Sequence, residues 1–307
     1  MKPKATPSVF LAVLLLAAAM LVPARPAQAQ EQAPTALTGT LAKARETGAI
    51  TIGYRESSVP FSYLNARKEP IGYSIELCRA LVTAIEDAVN KSLAIKWVPV
   101  TPDSRIDAVA SGKVDLECGS TTNNLERQKR VSFSPTMFVS GTKVLVKKGS
   151  PIKSFRDLAG KKVAVTAGTT NEKTLRDLSE KFKLNIDLRV ARDHAESFAL
   201  VKSGQADAFA TDDVLLYGLI AQDAAKANYE VVGDFLSYDP YGIMYRKDDP
   251  QLNKLVIDTF QVLAEDGEIH RQYKRWFLRK LPSGESINLP MSEQLETIIQ
   301  TMSVKSE

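Results

Sequence analysis

Asp115-Leu-Glu-Cys-Gly-Ser-Thr-Thr-Asn-Asn-Leu-Glu-Arg127 decides how the rest of this chain is read. It begins as a strand, with Val114, Leu116 and Cys118 alternating, and breaks at Gly119. Ser120 to Asn124 is an unbroken run of hydroxyl and amide side chains, and Arg127 follows shortly after. A strand that empties into such a turn gathers N–H and O–H groups at one point. The guanidinium beside them is a planar fork matched to a carboxylate. Taken alone, the segment also fits an N-capped surface helix, with Thr122 or Asn123 as the cap and Glu126 and Arg127 in solvent.

The second half of the chain favours the first reading. Ala110-Ser-Gly-Lys-Val-Asp-Leu116 has a counterpart in Lys202-Ser-Gly-Gln-Ala-Asp-Ala208. In both, a helix is expected to end at Ser-Gly and a strand to deliver polar groups, Gly119-Ser-Thr-Thr122 in one and Thr211-Asp-Asp213 in the other. Two similar units with polar strand ends imply two lobes facing a cleft.

Periodicity predicts alternating strands and helices around these units, hence parallel β-α-β connections and an α/β class. A short helix over Leu41–Thr47 leads to the strand Ile50–Tyr54. Its carboxyl end opens into the loop Arg55–Tyr63, where ligands of open sheets bind. A helix from Gly72-Tyr-Ser74 carries Ile75, Leu77, Cys78, Leu81, Val82 and Ile85 on one face, and Ile95–Val100 is the next strand. The helix Arg105–Ser111 takes Ser104 as cap with Asp107 as capping-box partner. Strands follow at Thr142–Lys148, Lys162–Thr166 and Ile186–Val190, with helices at Ser154–Leu158, after Ala167-Gly-Thr-Thr170, and from His194. Ser237–Tyr245 reads as one strand, and Gln251–Asp266 and Glu268–Phe277 as two helices. Because no further strand of the second lobe follows, these helices should return to the first. Residues 30–141 and 239–307 then form a discontinuous lobe 1 and 142–238 form lobe 2, with two crossing strands near 139–143 and 237–242 as the hinge.

The chain has 307 residues, 44% hydrophobic and 25% charged, as expected of an ordinary globular protein. Residues 1–29 are different. Lys2 and Lys4 precede a 14-residue apolar run, Val9 to Val22, and Ala27-Gln-Ala29 has the form of a cleavage site. The run is shorter than the roughly 20 residues a membrane span needs, so it reads as a signal peptide cleaved near Ala29. No cysteine follows it, so no lipid anchor is expected, and the mature chain should be soluble and exported. Losing Lys2, Lys4 and Arg25 takes the 40 basic residues to 37 against 36 acidic ones. That near-balance argues against nucleic-acid binding. Cys78 and Cys118 are an even pair in an exported chain and read as a disulfide stapling a helix to a strand end. Two cysteines and two histidines, all far apart and without ligand spacing, make a metal site a poor alternative. Walker-A and Gly-x-Gly-x-x-Gly patterns are absent, so no nucleotide cofactor is expected.

Single residues have two readings. Gly168-Thr-Thr-Asn171 can be a plain Thr N-cap or an anion site at a helix start. His194 can lie at the surface or donate to an acidic ligand, and His270 reads as solvated. Asp212 can cap a turn or hold an ammonium, and Arg55 and Arg105 lie at element ends facing the presumed cleft. Neither a Gly-x-Ser-x-Gly elbow nor a second candidate base accompanies His194, so hydrolytic chemistry is not expected.

The segments 52–63, 72–78, 118–127 and 167–170, together with the leader, resemble the periplasmic solute-binding proteins of ATP-binding-cassette importers, nearest to their glutamate/aspartate binders. The likeness covers about residues 40–290. It implies a type II-like Venus-flytrap fold and a monomeric periplasmic receptor that delivers an acidic amino acid to an inner-membrane ABC permease. By that resemblance Arg127, Thr122 and Thr169 would clamp the α-carboxylate, and Asp212 and Ser120 would pair the α-ammonium. Arg55, Arg105, Thr170 and His194 would surround the side-chain carboxylate. Three arginines against one aspartate would give the site a charge of about +2. The family's loop before Arg105 offers a hydroxyl; with Pro102 interrupting it here, Thr101 and Ser104 are the candidates. The family's disulfide falls on Cys78 and Cys118. The alternatives are a receptor for glutamine or another polar amino acid, a same-fold dehydratase of cyclic amino-acid precursors, and a sensory module.

Overall fold

The computed structural model describes residues 36–304. The expected leader lies outside them, and among the described residues no helix is long and apolar enough to cross a membrane. Two five-stranded sheets carry the architecture. One runs Ala94–Pro99, Ala49–Tyr54, Leu116–Cys118, Met244–Arg246, Val131–Phe133. The other runs Asp187–Ala191, Lys162–Thr166, Ala208–Asp212, Thr142–Lys147, Tyr229–Val232. In each, the leading three strands are parallel and the fourth is antiparallel to both neighbours. The parallel pairs need crossover helices, supplied by Tyr73–Val89 and Arg105–Ala110 in the first sheet and by Thr170–Lys181 and His194–Lys202 in the second. The fourth strand is in each case the one arriving from the other sheet. The fold is thus α/β and two-lobed, with the same strand order used twice.

The short echo in the sequence has a physical cause. Helix Arg105–Ala110 ends at Ser111-Gly112 and helix His194–Lys202 at Ser203-Gly204, with Gly112 at φ 74° and Gly204 at φ 77°, left-handed values that a glycine reaches without Cβ strain. Asp115 and Asp207 then make matching contacts. Asp115 Oδ2 accepts the Thr51 N–H and Asp207 Oδ2 accepts the Lys162 N–H, both at 2.8 Å. Their own N–H groups donate back to Thr51 O and Lys162 O. Each aspartate therefore clamps the neighbouring parallel strand near its start.

Phe138–Ser140 pairs antiparallel with Asp239–Tyr241 to form the crossing ribbon. The expected single strand Ser237–Tyr245 is divided in two, Asp239–Tyr241 and Met244–Arg246. Across the break lies Pro135, which has no N–H for the ladder, and the Ile243 N–H donates to the Ser134 hydroxyl at 2.9 Å rather than to a ladder carbonyl. Phe138 and Tyr241 anchor the ribbon in an aromatic cluster. Phe61 lies 4.9 Å from Phe138 and 5.1 Å from Tyr241 between ring centroids, and Phe138 lies 4.9 Å from Phe277. The helices after the second crossing, Pro250–Glu265 and Glu268–Tyr273, bury Leu252, Val256, Phe260 and Ile269 in the same core as Ile50, Ile52 and Leu81.

Three local expectations change. Ser104 is already helical (φ −87°, ψ −16°) and makes no cap bond. Thr101 Oγ1 accepts the Ser104 N–H at 3.1 Å, because Pro102 fits the first helical position and moves the start back. Asp107 does not close a capping box but pairs with Arg130 at 2.6 Å. His270 keeps the solvent exposure expected of it but also has a partner: its Nε2 lies 3.0 Å from both carboxylate oxygens of Glu296. Glu296 belongs to a further helix, Glu293–Met302, beyond those predicted above; Ser292 Oγ caps it by accepting the Leu295 N–H. The loop after Tyr54 also folds further than expected, into a small sheet of Ser57–Ser58, Ser62–Leu64 and Pro70–Ile71.

Cys78 on helix Tyr73–Val89 is bonded to Cys118 at the end of its strand, closing a 40-residue separation. Both are fully buried in the core. A loop of that length implies roughly 3–4 kcal/mol of stabilisation. Reduction with dithiothreitol, or the double change Cys78→Ser with Cys118→Ser, should lower the free energy of unfolding by that amount in urea titrations, and an unchanged midpoint would refute it.

Candidate functional site

The polar groups stand at the carboxyl ends of the parallel strands, where backbone N–H groups and helix starts point outward. Arg55 follows Ala49–Tyr54, Ser120 and Thr122 follow Leu116–Cys118, Thr169 and Thr170 follow Lys162–Thr166, and Asp212 closes Ala208–Asp212. Contacts between the two sheets bring these ends together. Arg127 Nη2 donates to Gly168 O at 3.3 Å, Thr122 Oγ1 lies 3.3 Å from Thr170 Oγ1, and the Ala195 N–H donates to Ser57 Oγ at 3.4 Å. Gly168, at φ +71°, lets the walls meet: a Cβ there would lie 2.6 Å from Asp103 Cα.

Arg55, Arg105 and His194 gather at one end, all nearly fully buried. Burial, and then Arg105 beside it, lowers Arg55 to about 9. Burial also lowers Arg105, opposed by Glu117, Tyr241 and Asp212. Arg55 Nη1 and Arg105 Nε find no hydrogen-bond partner within the protein. Burial and the two arginines hold His194 well below its ordinary value, so the ring is neutral. A chain of bonds sets its tautomer. Ser197 Oγ donates to Asp193 O at 3.0 Å, so Ser197 must accept from Thr166 Oγ1 at 2.7 Å. Thr166 must in turn accept from His194 Nδ1–H at 3.0 Å. This places the lone pair on Nε2. Thr101 and Ser104 bond each other at 3.1 Å and line, with Arg55, an adjoining cavity of about 220 Å³.

Arg127, Thr122, Thr170 and Asp212 form the other end. Arg127 Nη1 donates to Thr122 O at 2.9 Å; burial, and then Arg105, lowers its guanidinium to about 9. Thr170 thus stands with Thr122 rather than with His194. Thr169 Oγ1 is spent on its helix: it donates to Thr166 O at 2.7 Å and accepts the Glu172 N–H at 3.1 Å, leaving the backbone as its contribution. Thr122 bridges Tyr241, but the bonds of that bridge run from the Asn123 N–H to Pro240 O and from the Gly242 N–H to Thr121 O. The ladder therefore leaves Thr122's own N–H outside it. Asp212 accepts from Asn171 Nδ2 at 2.8 Å and from the Tyr241 hydroxyl. Burial, then Asp239 nearby, raises it to about 7. Ser120 Oγ is buried with no protein partner.

Two buried carboxylates among the site groups escaped sequence reading, Glu117 and Asp239. Glu117 lies between Leu116 and Cys118 and interacts electrostatically with all three arginines. Its Oε2 accepts from Thr121 Oγ1 at 2.7 Å, and a Cβ at Gly119 would lie 2.2 Å from Oε1, so a larger residue there would displace the carboxylate. With Asp239 added, three guanidinium groups face three fully buried carboxylates, which reduces the expected charge of about +2 to zero when all are ionised; Asp193, partly exposed and paired with Arg192, also acts on Arg55. A glutamate in a strand covered on both faces was the available signal, because such a residue needs a partner. Asn171 and Tyr241, the two groups that hold Asp212, were also missed. Their partners lie 41 and 29 residues away in sequence.

Residues 50–279 match the family described as bacterial extracellular solute-binding proteins, family 3. The chain belongs to it. All nine candidate ligand residues, from Arg55 to Asp212, fall within that span. The glutamate/aspartate import solute-binding protein of Escherichia coli K12 is 43% identical over 276 residues, covering 89% of this chain and 91% of that protein. The L-glutamate/L-aspartate-binding protein of Pseudomonas aeruginosa is 43% identical over 273 residues, covering 88% and 90%. Among solved structures, the ancestral amino acid-binding protein AncCDT-1, a precursor of cyclohexadienyl dehydratase, aligns with a TM-score of 0.67 and 33% identity over 78% of this chain and 99% of that one.

Because Gly168 sits where the cleft walls touch, Gly168→Ala should prop this family member open while each half stays folded. Small-angle scattering should show a larger radius of gyration, with a loss of stability of only about 1–2 kcal/mol from the left-handed backbone. An unchanged radius would show that the contact does not limit closure.

Proposed function

We propose that this chain is a periplasmic receptor that closes on L-glutamate or L-aspartate and delivers it, as a monomer, to an ABC permease. Lobe 1 comprises residues 30–141 and 239–307, and lobe 2 comprises 142–238. The observation that carries the reading is the pair Arg55 and Arg105, buried with donors that no protein group accepts. Such groups call for an anion, and the side-chain carboxylate of an acidic amino acid is the anion this end would take. Arg127 and the N–H groups of Thr122, Thr169 and Thr170 suit the α-carboxylate. Asp212, Ser120 Oγ and the Thr122 hydroxyl suit the α-ammonium. The two relatives from Escherichia coli and Pseudomonas aeruginosa bear glutamate and aspartate in their names, which supports the same class here.

A non-enzymatic role fits His194, whose Nδ1 is held by Thr166 and not by a carboxylate. One observation favours a second ligand: the lone pair at His194 Nε2 would accept from the carboxamide of glutamine, whereas a carboxylate there needs a proton on the ring. Titration calorimetry of ligand-stripped protein with L-glutamate, L-aspartate and L-glutamine separates the two. The acidic pair should bind far more tightly, and Arg105→Ala should weaken it by at least about a hundredfold, because an unpaired buried charge costs roughly 3–5 kcal/mol. Equal binding of glutamine, or normal binding by the variant, would overturn the acidic assignment.

Asp212 also sets a pH dependence. With its carboxyl raised to about 7, it must shed a proton before pairing with an ammonium. The Asp212 contribution is therefore full above that value and declines as pH falls through it, by up to about tenfold in affinity per unit. Calorimetry from pH 8 to 5 would refute this if glutamate affinity were flat.

A further inference from the structure

Asp239 lies on the returning strand of the crossing ribbon and is 1% exposed. Its Oδ1 accepts from Thr122 Oγ1 at 3.0 Å and from Thr170 Oγ1 at 2.8 Å, and its Oδ2 accepts from the Ser237 hydroxyl. The two threonines come from opposite walls of the cleft. A hydroxyl has one proton, so when both protons go to Asp239 the 3.3 Å contact between the threonines carries none. What each threonine then offers the cleft is a lone pair. Lone pairs suit an ammonium and repel a carboxylate.

The arrangement is relayed to Asp212. Asn171 Nδ2 donates to Thr142 Oγ1 at 2.7 Å as well as to Asp212 at 2.8 Å. Thr142 Oγ1 lies 2.7 Å from Ser237 Oγ, and the proton order runs from Asn171 through Thr142 and Ser237 to Asp239. Two carboxylates therefore stand behind a set of acceptors, with Arg127 beside Asp239.

We propose that Asp239 is a positioning residue that selects α-amino acids over plain dicarboxylic acids, by turning the Thr122 and Thr170 hydroxyl protons away from the ligand's ammonium. The proposal rests on the amino-acid receptor reading above and deepens it. Asp239 does not touch the ligand. It sets which face the threonines present and adds a negative charge beneath the ammonium. Because the threonines come from different walls, the acceptor set is complete only when the cleft is closed.

The test compares L-glutamate with glutarate, which has both carboxylates and no ammonium, by titration calorimetry on wild type, Asp239→Asn and Thr170→Val. The wild type should bind glutamate tightly and glutarate weakly. In Asp239→Asn, glutamate affinity should fall about tenfold or more, the loss typical of a hydrogen bond to a charged group. Glutarate affinity should hold or rise, because Arg127 loses a competing anion, so the glutamate preference shrinks by at least the same factor. Thr170→Val should shrink it in the same direction by less. If glutamate and glutarate weaken together in Asp239→Asn, the residue is merely structural and the proposal fails. If the preference is unchanged in both variants, it fails as well. If the wild type binds none of glutamate, aspartate or glutamine, the receptor reading itself falls and takes this proposal with it.

Discussion

Three guanidinium groups cannot be buried side by side unless anions stand among them. Arg55, Arg105 and Arg127 are each at least nine-tenths inaccessible, and each is disfavoured by burial, two of them also by a neighbouring arginine. Glu117, Asp212 and Asp239 supply the compensation from three different elements. Glu117 comes from within a strand, Asp212 from a strand end in the other sheet, and Asp239 from the ribbon that joins the sheets. The closed arrangement and the charge arrangement are therefore one problem. Moving either sheet away would separate Arg127 from Gly168 and Asp239 from one of its threonines.

The duplicated strand order explains why these groups can meet. In an open parallel sheet the strand ends on one edge carry unpaired N–H groups and short polar loops. Two such sheets, joined through their antiparallel fourth strands, turn those edges toward each other. The ribbon is more than a hinge, because Tyr241 is packed in the aromatic cluster of the first core while its hydroxyl holds Asp212 of the second sheet. Polar positioning and hinge packing share the same residue.

Legibility in the sequence followed the range of the interaction. Helix Tyr73–Val89 and the parallel strands have strong periodicity, and the Ser-Gly helix stops are local backbone events, so both were readable. The candidate residues in the segments 118–127 and 167–170 were readable for the same reason, as hydroxyl-rich turns at strand ends. The break near Pro135 was not, because it depends on which strand lies opposite. The start at Thr101 was missed because Ser104 is an equally good cap by type. Helix Glu293–Met302 carries the same signal, with Leu295, Ile298, Ile299 and Met302 at helical spacing behind the Ser292 cap, so its absence from the sequence reading has no physical cause.

The sequence by itself determined the α/β class, the two-fold repetition, the Cys78–Cys118 staple and the set of arginines, threonines and Asp212 from which a site could be made. The class, the repetition and the cysteine pair follow from residue type, short spacing and local backbone preference, while the choice of that residue set rests on the family resemblance. Only the tertiary structure decided how the set is wired. That Thr169's hydroxyl is spent on its own helix, that Thr170 stands with Thr122, and that Glu117 and Asp239 balance the arginines depend on partners in other elements. Hydrogen-bond direction and buried charge depend on distance in space, which spacing along the chain does not encode.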